Sequence, residues 1–231
     1  MAKSNKARDD KNPFIPLEDN WVNIVSKKLI DSVECVNHAV AGASNEYIFH
    51  TLMSYASDFK AGDNIIVQLT SRQRRWLIED HPEFSNFMME DRKNTLSSAQ
   101  EAAIKSYAKH LNSDVVDEAI YKACLYGATY IGKMLGEMCW ETGTESGIKV
   151  LVLPGFHEIG GVTGTLGDVC FGEFAGQEAK DAYYKSVSDC DSRWNHMSED
   201  NHIILAQKVL SFFENYTEVN LNTDFKKAIY T

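Results

Sequence analysis

Apolar residues recur at every third or fourth position through most of the chain, the spacing that gathers them on one face of an α-helix. The first such stripe starts after Asp19 and contains Val22, Val25, Leu29, Val33, Val36 and Val40. A second follows Ser44, whose hydroxyl can accept a hydrogen bond from the first helical turn, and ends at Gly62. A third follows Ser198 and ends near Phe213. We predict a helix at each of the three.

The longest predicted helix runs from Asp114 to about Trp140. Its apolar positions, which we expect to face the core, are Val116, Ile120, Ala123, Gly127, Ile131, Met134 and Met138. Two further helix starts are predicted where a hydroxyl residue precedes a Glu or Gln by three positions, at Thr70–Gln73 and at Ser98–Glu101.

Residues 148–175 have a different pattern. Ile148 to Leu153 forms the best strand pattern of the chain, and Asp168 to Phe174 indicates another strand. Half of the chain's 14 glycines lie between Gly155 and Gly176, where they indicate turns. Their spacing matches neither a Walker loop nor a dinucleotide fingerprint. We predict a small Gly-rich β-hairpin or meander at about 148–175.

These patterns predict a mainly α protein, a bundle of six to eight helices with the β element as an insertion. Residues 1–17 are expected to form an N-terminal arm, because they are mostly polar and charged. Residues 18–231 are then a single, mainly helical domain, which is long enough to bury its own core.

The charge is uneven along the chain. The net charge is −10, from 23 basic and 33 acidic residues, and nearly all of the acidic excess lies in residues 111–231. Proteins that bind nucleic acids or anionic membranes need basic side chains to replace counterions, so we expect neither direct nucleic-acid binding nor membrane binding. Three explanations of the acidic excess remain open: a basic protein partner, a bound cation, or solubility alone.

The five cysteines are scattered, and none forms a C-x-x-C pair. An odd number of widely spaced cysteines is typical of a reducing compartment, and the first residues do not resemble a secretory signal. The apolar stretch Ala119–Trp140 contains Lys122, Lys133 and Glu137, which argues against a transmembrane segment. We expect a cytoplasmic protein with reduced thiols.

Two groups of residues contain metal-ligating types. The first comprises His157, Glu158, Asp168, Cys170 and Glu173, and the second Cys190, His196 and His202. Neither spacing matches a known ligand pattern, and the two histidines of the second group lie six positions apart, on different faces of a helix. We expect no metal and no cofactor, although the sequence leaves metal binding by either group open.

Arg72, Arg74 and Arg75 form the only dense basic cluster of the chain. Three cations at a predicted helix start are electrostatically unfavourable, so we expect them to pair with acidic residues of the same chain or of a neighbouring subunit. The candidate apolar interaction residues lie at the base of the arm and in the Gly-rich element. They are Phe14 and Ile15 in the arm, and Phe156, Phe171 and Phe174 in the Gly-rich element.

No pattern typical of a catalytic nucleophile occurs, such as a G-x-S-x-G elbow. The arm, the arginine cluster and the Gly-rich element favour a non-enzymatic interaction or assembly protein, such as a self-assembling viral shell or connector subunit. An acidic inhibitor that fills a basic groove of another protein, as a nucleic-acid mimic, is the alternative. An enzyme whose site assembles only in space is a third hypothesis.

Overall fold

The computed structural model describes residues 20–29, 35–40, 43–77, 96–141, 147–157, 162–170, 173–179, 181, 197–226 and 229–230. The helices in this part of the chain are α1 (Trp21–Leu29), α2 (Asn45–Tyr55), α3 (Ser98–His110), α4 (Asp114–Glu141), α5 (Leu166–Cys170) and α6 (Glu199–Asn215). The strands are β1 (Asn64–Gln68), β2 (Lys149–Leu153), β3 (Val162–Thr163), β4 (Glu173–Phe174), β5 (Val219–Asn220) and β6 (Ile229–Tyr230). The helices hold far more residues than the strands, so the fold is mainly α, as the sequence predicts.

The described residues group into two compact units. We call the described residues within 36–168 and 218–222 the central unit, and those within 1–35, 169–217 and 223–231 the terminal unit. Both units are discontinuous in sequence. The prediction of one domain over residues 18–231 stays a prediction, and the arm of residues 1–17 lies outside the described residues.

The central unit is built around α4 and the β1–β2 pair. Helix α2 packs against α4, with the Phe49 ring against Gly127, and α4 packs against β2. Strands β1 and β2 run parallel, with Asn64 opposite Lys149 and Gln68 opposite Leu153. Most of the buried side chains come from these elements and the residues next to them: Leu52, Val67, Leu69, Tyr121, Cys124, Ala128, Leu151 and Leu153. Helix α3 adds Ile104.

The terminal unit contains the packing of α1 against α6. Trp21 and Val25 are buried on α1, and Leu205, Ala206 and Val209 are fully buried on α6. Strands β4 and β6 pair in parallel in this unit. The apolar face that the sequence predicts after Ser198 is therefore a core face, and the Ser198 hydroxyl caps α6 by accepting a hydrogen bond from the backbone N–H of Asn201.

The predicted hairpin or meander at 148–175 is wrong for the described strands. Each strand in this range pairs in parallel with a strand outside it: β2 with β1, β3 with β5 and β4 with β6. A hairpin would need antiparallel neighbours. The continuous apolar run of β2 is typical of a parallel strand covered on both faces. The predicted strand at Asp168–Phe174 begins as a helix, because α5 extends to Cys170.

Two helix boundaries also differ from the prediction. The first predicted helix extends to Val40, but residues 35–40 are not helical, and Val36 and Val40 are exposed. There the Asn37 carboxamide accepts a hydrogen bond from the backbone N–H of Ala39, a local turn that competes with helix formation. The N-cap of α3 is Ser97 rather than Ser98. The Ser97 hydroxyl accepts a hydrogen bond from the backbone N–H of Gln100, and Gln100 Oε1 accepts one from the backbone N–H of Ser97.

Candidate interaction site

The arginine cluster lies in a turn that a buried side chain of α2 holds in place. Because Ser44 caps α2, Asn45 is its first residue and is almost fully buried. The Asn45 carboxamide accepts a hydrogen bond from the Thr70 N–H at 2.8 Å and donates to the carbonyls of Thr70 and Ser71, each at 3.3 Å. The helix predicted from Ser71 is therefore absent from residues 71–77, whose backbone follows this turn.

Arg75 lies between two acidic residues of the central unit. Its Nε donates to Glu46 Oε1 at 2.6 Å, and its Nη1 to Asp117 Oδ1 at 3.3 Å. The Tyr107 ring lies 5.8 Å from the guanidinium carbon. Burial by itself lowers the pKa of Arg75, but the hydrogen bonds and charge of Glu46, with Asp117, outweigh burial and raise it. The three charges form a partly buried network, with Asp117 fully buried, that ties α2, the turn and α4 together.

Arg72 has a more exposed partner. Its Nη1 donates to Glu118 Oε2 at 2.7 Å, and Lys122 approaches the other oxygen of Glu118 at 3.0 Å. The hydrogen bonds from Lys122 and Arg72 lower the pKa of the Glu118 carboxyl. The acidic partners expected from the sequence are therefore present, within the same chain, for Arg72 and Arg75.

Arg74 differs from both neighbours. Its Nη1 donates to the Thr70 hydroxyl at 2.8 Å, and no carboxylate among the described residues lies within 4.0 Å of the guanidinium. Burial lowers the pKa of Arg74, and no charged neighbour contributes to the shift. One cation of the predicted cluster thus lacks an acidic partner in the described part of the chain.

The face of α4 that is buried is not the predicted one. Asp117, Tyr121, Cys124 and Ala128 are buried, whereas Val116, Ala123 and Met134 of the predicted core face are exposed. We call the exposed apolar side of this helix the α4 stripe, which consists of Val115, Val116, Ala119, Ala123, Tyr126, Tyr130 and Met134. The spacing of apolar residues does not identify this stripe, because apolar residues occupy both sides of α4 and periodicity cannot tell which side is buried.

The remaining predicted interaction residues have mixed outcomes. Phe156 is partly exposed, and its ring lies against Gly167. Phe174 is part of β4, and the structure describes only its backbone. Phe14, Ile15 and Phe171 lie outside the described residues. Their role in binding a partner stays a prediction.

The candidate metal ligands that the structure describes have other contacts. Asp168 accepts hydrogen bonds from the Thr165 N–H at 3.0 Å and from the Thr165 hydroxyl at 2.7 Å. The Nδ1 atom of His202 accepts one from the Trp21 N–H at 3.3 Å. Among the described residues, no three His, Cys, Asp or Glu side chains come close enough together to hold a metal ion. Glu158, Cys190 and His196 are outside them.

The buried thiols are poor nucleophiles. Burial raises the pKa of Cys124 to about 11 and that of Cys170 to about 11. A thiol with such a pKa is almost entirely protonated at neutral pH, so neither residue has the environment of an activated cysteine.

No helix in the described part of the chain has both the length and the apolar character needed to cross a membrane. Comparison of the chain with protein-family models, with curated proteins and with solved structures gave no match.

Proposed function

We propose that the protein is a non-enzymatic assembly protein whose copies associate with one another through the α4 stripe. The observation that supports this proposal is the exposure of Val115, Tyr126 and Tyr130, whose side chains are 78%, 65% and 63% exposed. Large apolar side chains gathered on one helix face are typical of an interaction surface. A cytoplasmic location, the bundle of six to eight helices and the arm of residues 1–17 belong to the same proposal.

The dimensions of the α4 stripe suit a second copy of the chain. From Val115 to Met134 the helix axis extends about 28 Å. Two tyrosines at this exposure, with the valines and Met134, offer roughly 500 Å² per copy. A standard interface takes about 800 Å² from each partner, so the stripe and its flanks suit a small interface of moderate affinity.

A second copy of the chain can cover the α4 stripe through two-fold symmetry. In a two-fold dimer the same patch covers itself, so one apolar helix face is sufficient for both partners. The members of the stripe are apolar or phenolic, and Lys122, next to Ala123 in the chain, pairs with Glu118. An acidic inhibitor would instead bind its basic target through carboxylates.

Sedimentation equilibrium over a range of protein concentrations tests the proposal. We expect wild-type protein to shift from monomer to dimer with rising concentration, and the shift to persist at raised salt because the contact is apolar. The double variant Tyr126→Lys with Tyr130→Lys should stay monomeric and keep the wild-type circular dichroism spectrum, since both side chains are exposed.

A matched control is available in the terminal unit. Tyr216 is 64% exposed, like the two stripe tyrosines, and Tyr216→Lys should leave the dimer unchanged. A wild-type protein that is monomeric throughout the range would contradict the proposal. Equal loss of association in Tyr216→Lys and in the stripe variant would show that the stripe is not the interface.

A further inference from the structure

Arg74 differs from the neighbouring arginines in having no carboxylate partner among the described residues. Arg75 uses its Nε and Nη1 atoms for Glu46 and Asp117, and Arg72 uses its Nη1 atom for Glu118. Arg74 uses its Nη1 atom for the Thr70 hydroxyl. No hydrogen bond among the described residues uses its Nε and Nη2 atoms, which form one edge of the guanidinium. That edge is the fork that matches two oxygens of a carboxylate or phosphate.

One end of the guanidinium is held by its hydrogen bond to the Thr70 hydroxyl. The Thr70 side chain is buried, and Asn45 fixes the Thr70 backbone through both its N–H and its carbonyl. The Arg74 N–H donates to the Ser71 carbonyl at 3.2 Å, which closes the turn. A donor pair on a fixed backbone loses little conformational entropy when a ligand binds, so its geometry is preorganised.

The electrostatic environment of Arg74 also favours binding of an anion. A partly buried cation that has no acidic partner among the described residues has lost hydration without gaining an ion pair from them, and an incoming anion restores that balance. We propose that Arg74 binds an oxyanion, a carboxylate or phosphate group, through its Nε–Nη2 edge. The site does not depend on self-association and lies on the turn of residues 70–75 rather than on the α4 stripe.

The test measures the melting temperature of the full chain in increasing inorganic phosphate, or in increasing acetate, with chloride reduced to keep ionic strength constant. In parallel, NMR spectra follow the Nε–Hε signals of the arginine side chains. For wild-type protein we expect a saturable rise in melting temperature and a matching shift of the Arg74 signal. Phosphate-only and acetate-only responses both support the site and identify which of the two groups it prefers.

Arg74→Gln removes the fork and should weaken the apparent affinity about tenfold or more, because charge-assisted hydrogen bonds are lost. Without added anion this variant should be at least as stable as wild type, since a partly desolvated charge is removed. Arg72→Gln is the matched control and should keep the wild-type response. Equal responses of wild type and Arg74→Gln, or no response of wild type to either anion, would overturn the proposal.

Discussion

Asn201 pairs with both backbone groups of Lys226. Its Oδ1 accepts a hydrogen bond from the Lys226 N–H at 2.8 Å, and its Nδ2 donates to the Lys226 carbonyl, also at 2.8 Å. The same Nδ2 donates to the Val169 carbonyl at 3.2 Å. Asn45 pairs in the same way with Thr70 in the central unit. In each unit, a buried asparagine in the first turn of a helix thus forms hydrogen bonds with the backbone N–H and carbonyl of a residue far away in sequence. A neighbouring strand would satisfy these backbone groups in the same way.

The pairing of Asn201 predicts a large effect of substitution. Asn201→Ala leaves the N–H and carbonyl of Lys226 and the carbonyl of Val169 without these partners, so we expect the free energy of unfolding to fall by about 1–3 kcal/mol. Asn201→Asp should reduce it further, because the carboxylate cannot donate and carries a charge. Denaturant unfolding measures both. Asn215→Ala, at an exposed position of the same helix, is the control and should change stability by less than about 0.5 kcal/mol. A similar loss in all three variants would contradict this role.

The close backbone contacts of Gly155 predict that a side chain at this position destabilises the chain. A Cβ atom at this position would overlap the Leu69 carbonyl oxygen and lie 2.8 Å from Thr70 Cα. Asn45 holds the Thr70 backbone, so the obstacle cannot easily move, and Gly155→Ala should destabilise the chain by about 1–3 kcal/mol. Gly176→Ala is the matched control, because a Cβ there meets nothing within 4 Å. Thermal unfolding compares the two, and equal melting temperatures would refute the close approach.

The two paired arginines should differ in their contribution to stability. Arg75→Gln leaves Glu46 and the buried Asp117 without their cation, and breaking a buried pair of this kind lowers stability by about 3 kcal/mol or more. Arg72→Gln should have a much smaller effect, since its ion pair with Glu118 is more exposed. Adding Asp117→Asn to Arg75→Gln should recover part of the loss. A double-mutant cycle in denaturant measures this, and strict additivity would argue against the network.

The environment of His157 predicts that the free energy of unfolding depends on pH. Its ring lies 5.4 Å from the Tyr121 ring, and burial, with the charge of Arg72, lowers its pKa below the ordinary value of 6.5. As pH falls through 6.5, the unfolded chain takes up this proton before the folded chain does, so stability is lost. His157→Phe keeps an aromatic ring and removes the titration. Unfolding free energies between about pH 8 and pH 5 should therefore decrease less in His157→Phe than in wild type. Parallel curves would contradict the prediction.

The sequence by itself determined the features that depend on near neighbours along the chain. Ser44 and Ser198 cap helices because their hydroxyls bond to backbone N–H groups three residues later. The apolar run that becomes β2 was also recognisable as a strand. The mainly α class follows from apolar spacing, which needs no knowledge of the partner of each element.

Tertiary structure decided everything that depends on residues far apart in sequence. The pattern at Thr70–Gln73 predicts a helix start, but Asn45, 25 residues away, binds the Thr70 backbone instead. Strand β2 pairs in parallel with β1 rather than with another described strand of the predicted hairpin. The buried side of α4 includes Asp117, since Arg75 compensates its charge, and the apolar Val115 and Tyr126 are left outside. Local pattern specifies which segments become helices or strands, whereas long-range pairing of polar groups determines which faces are buried.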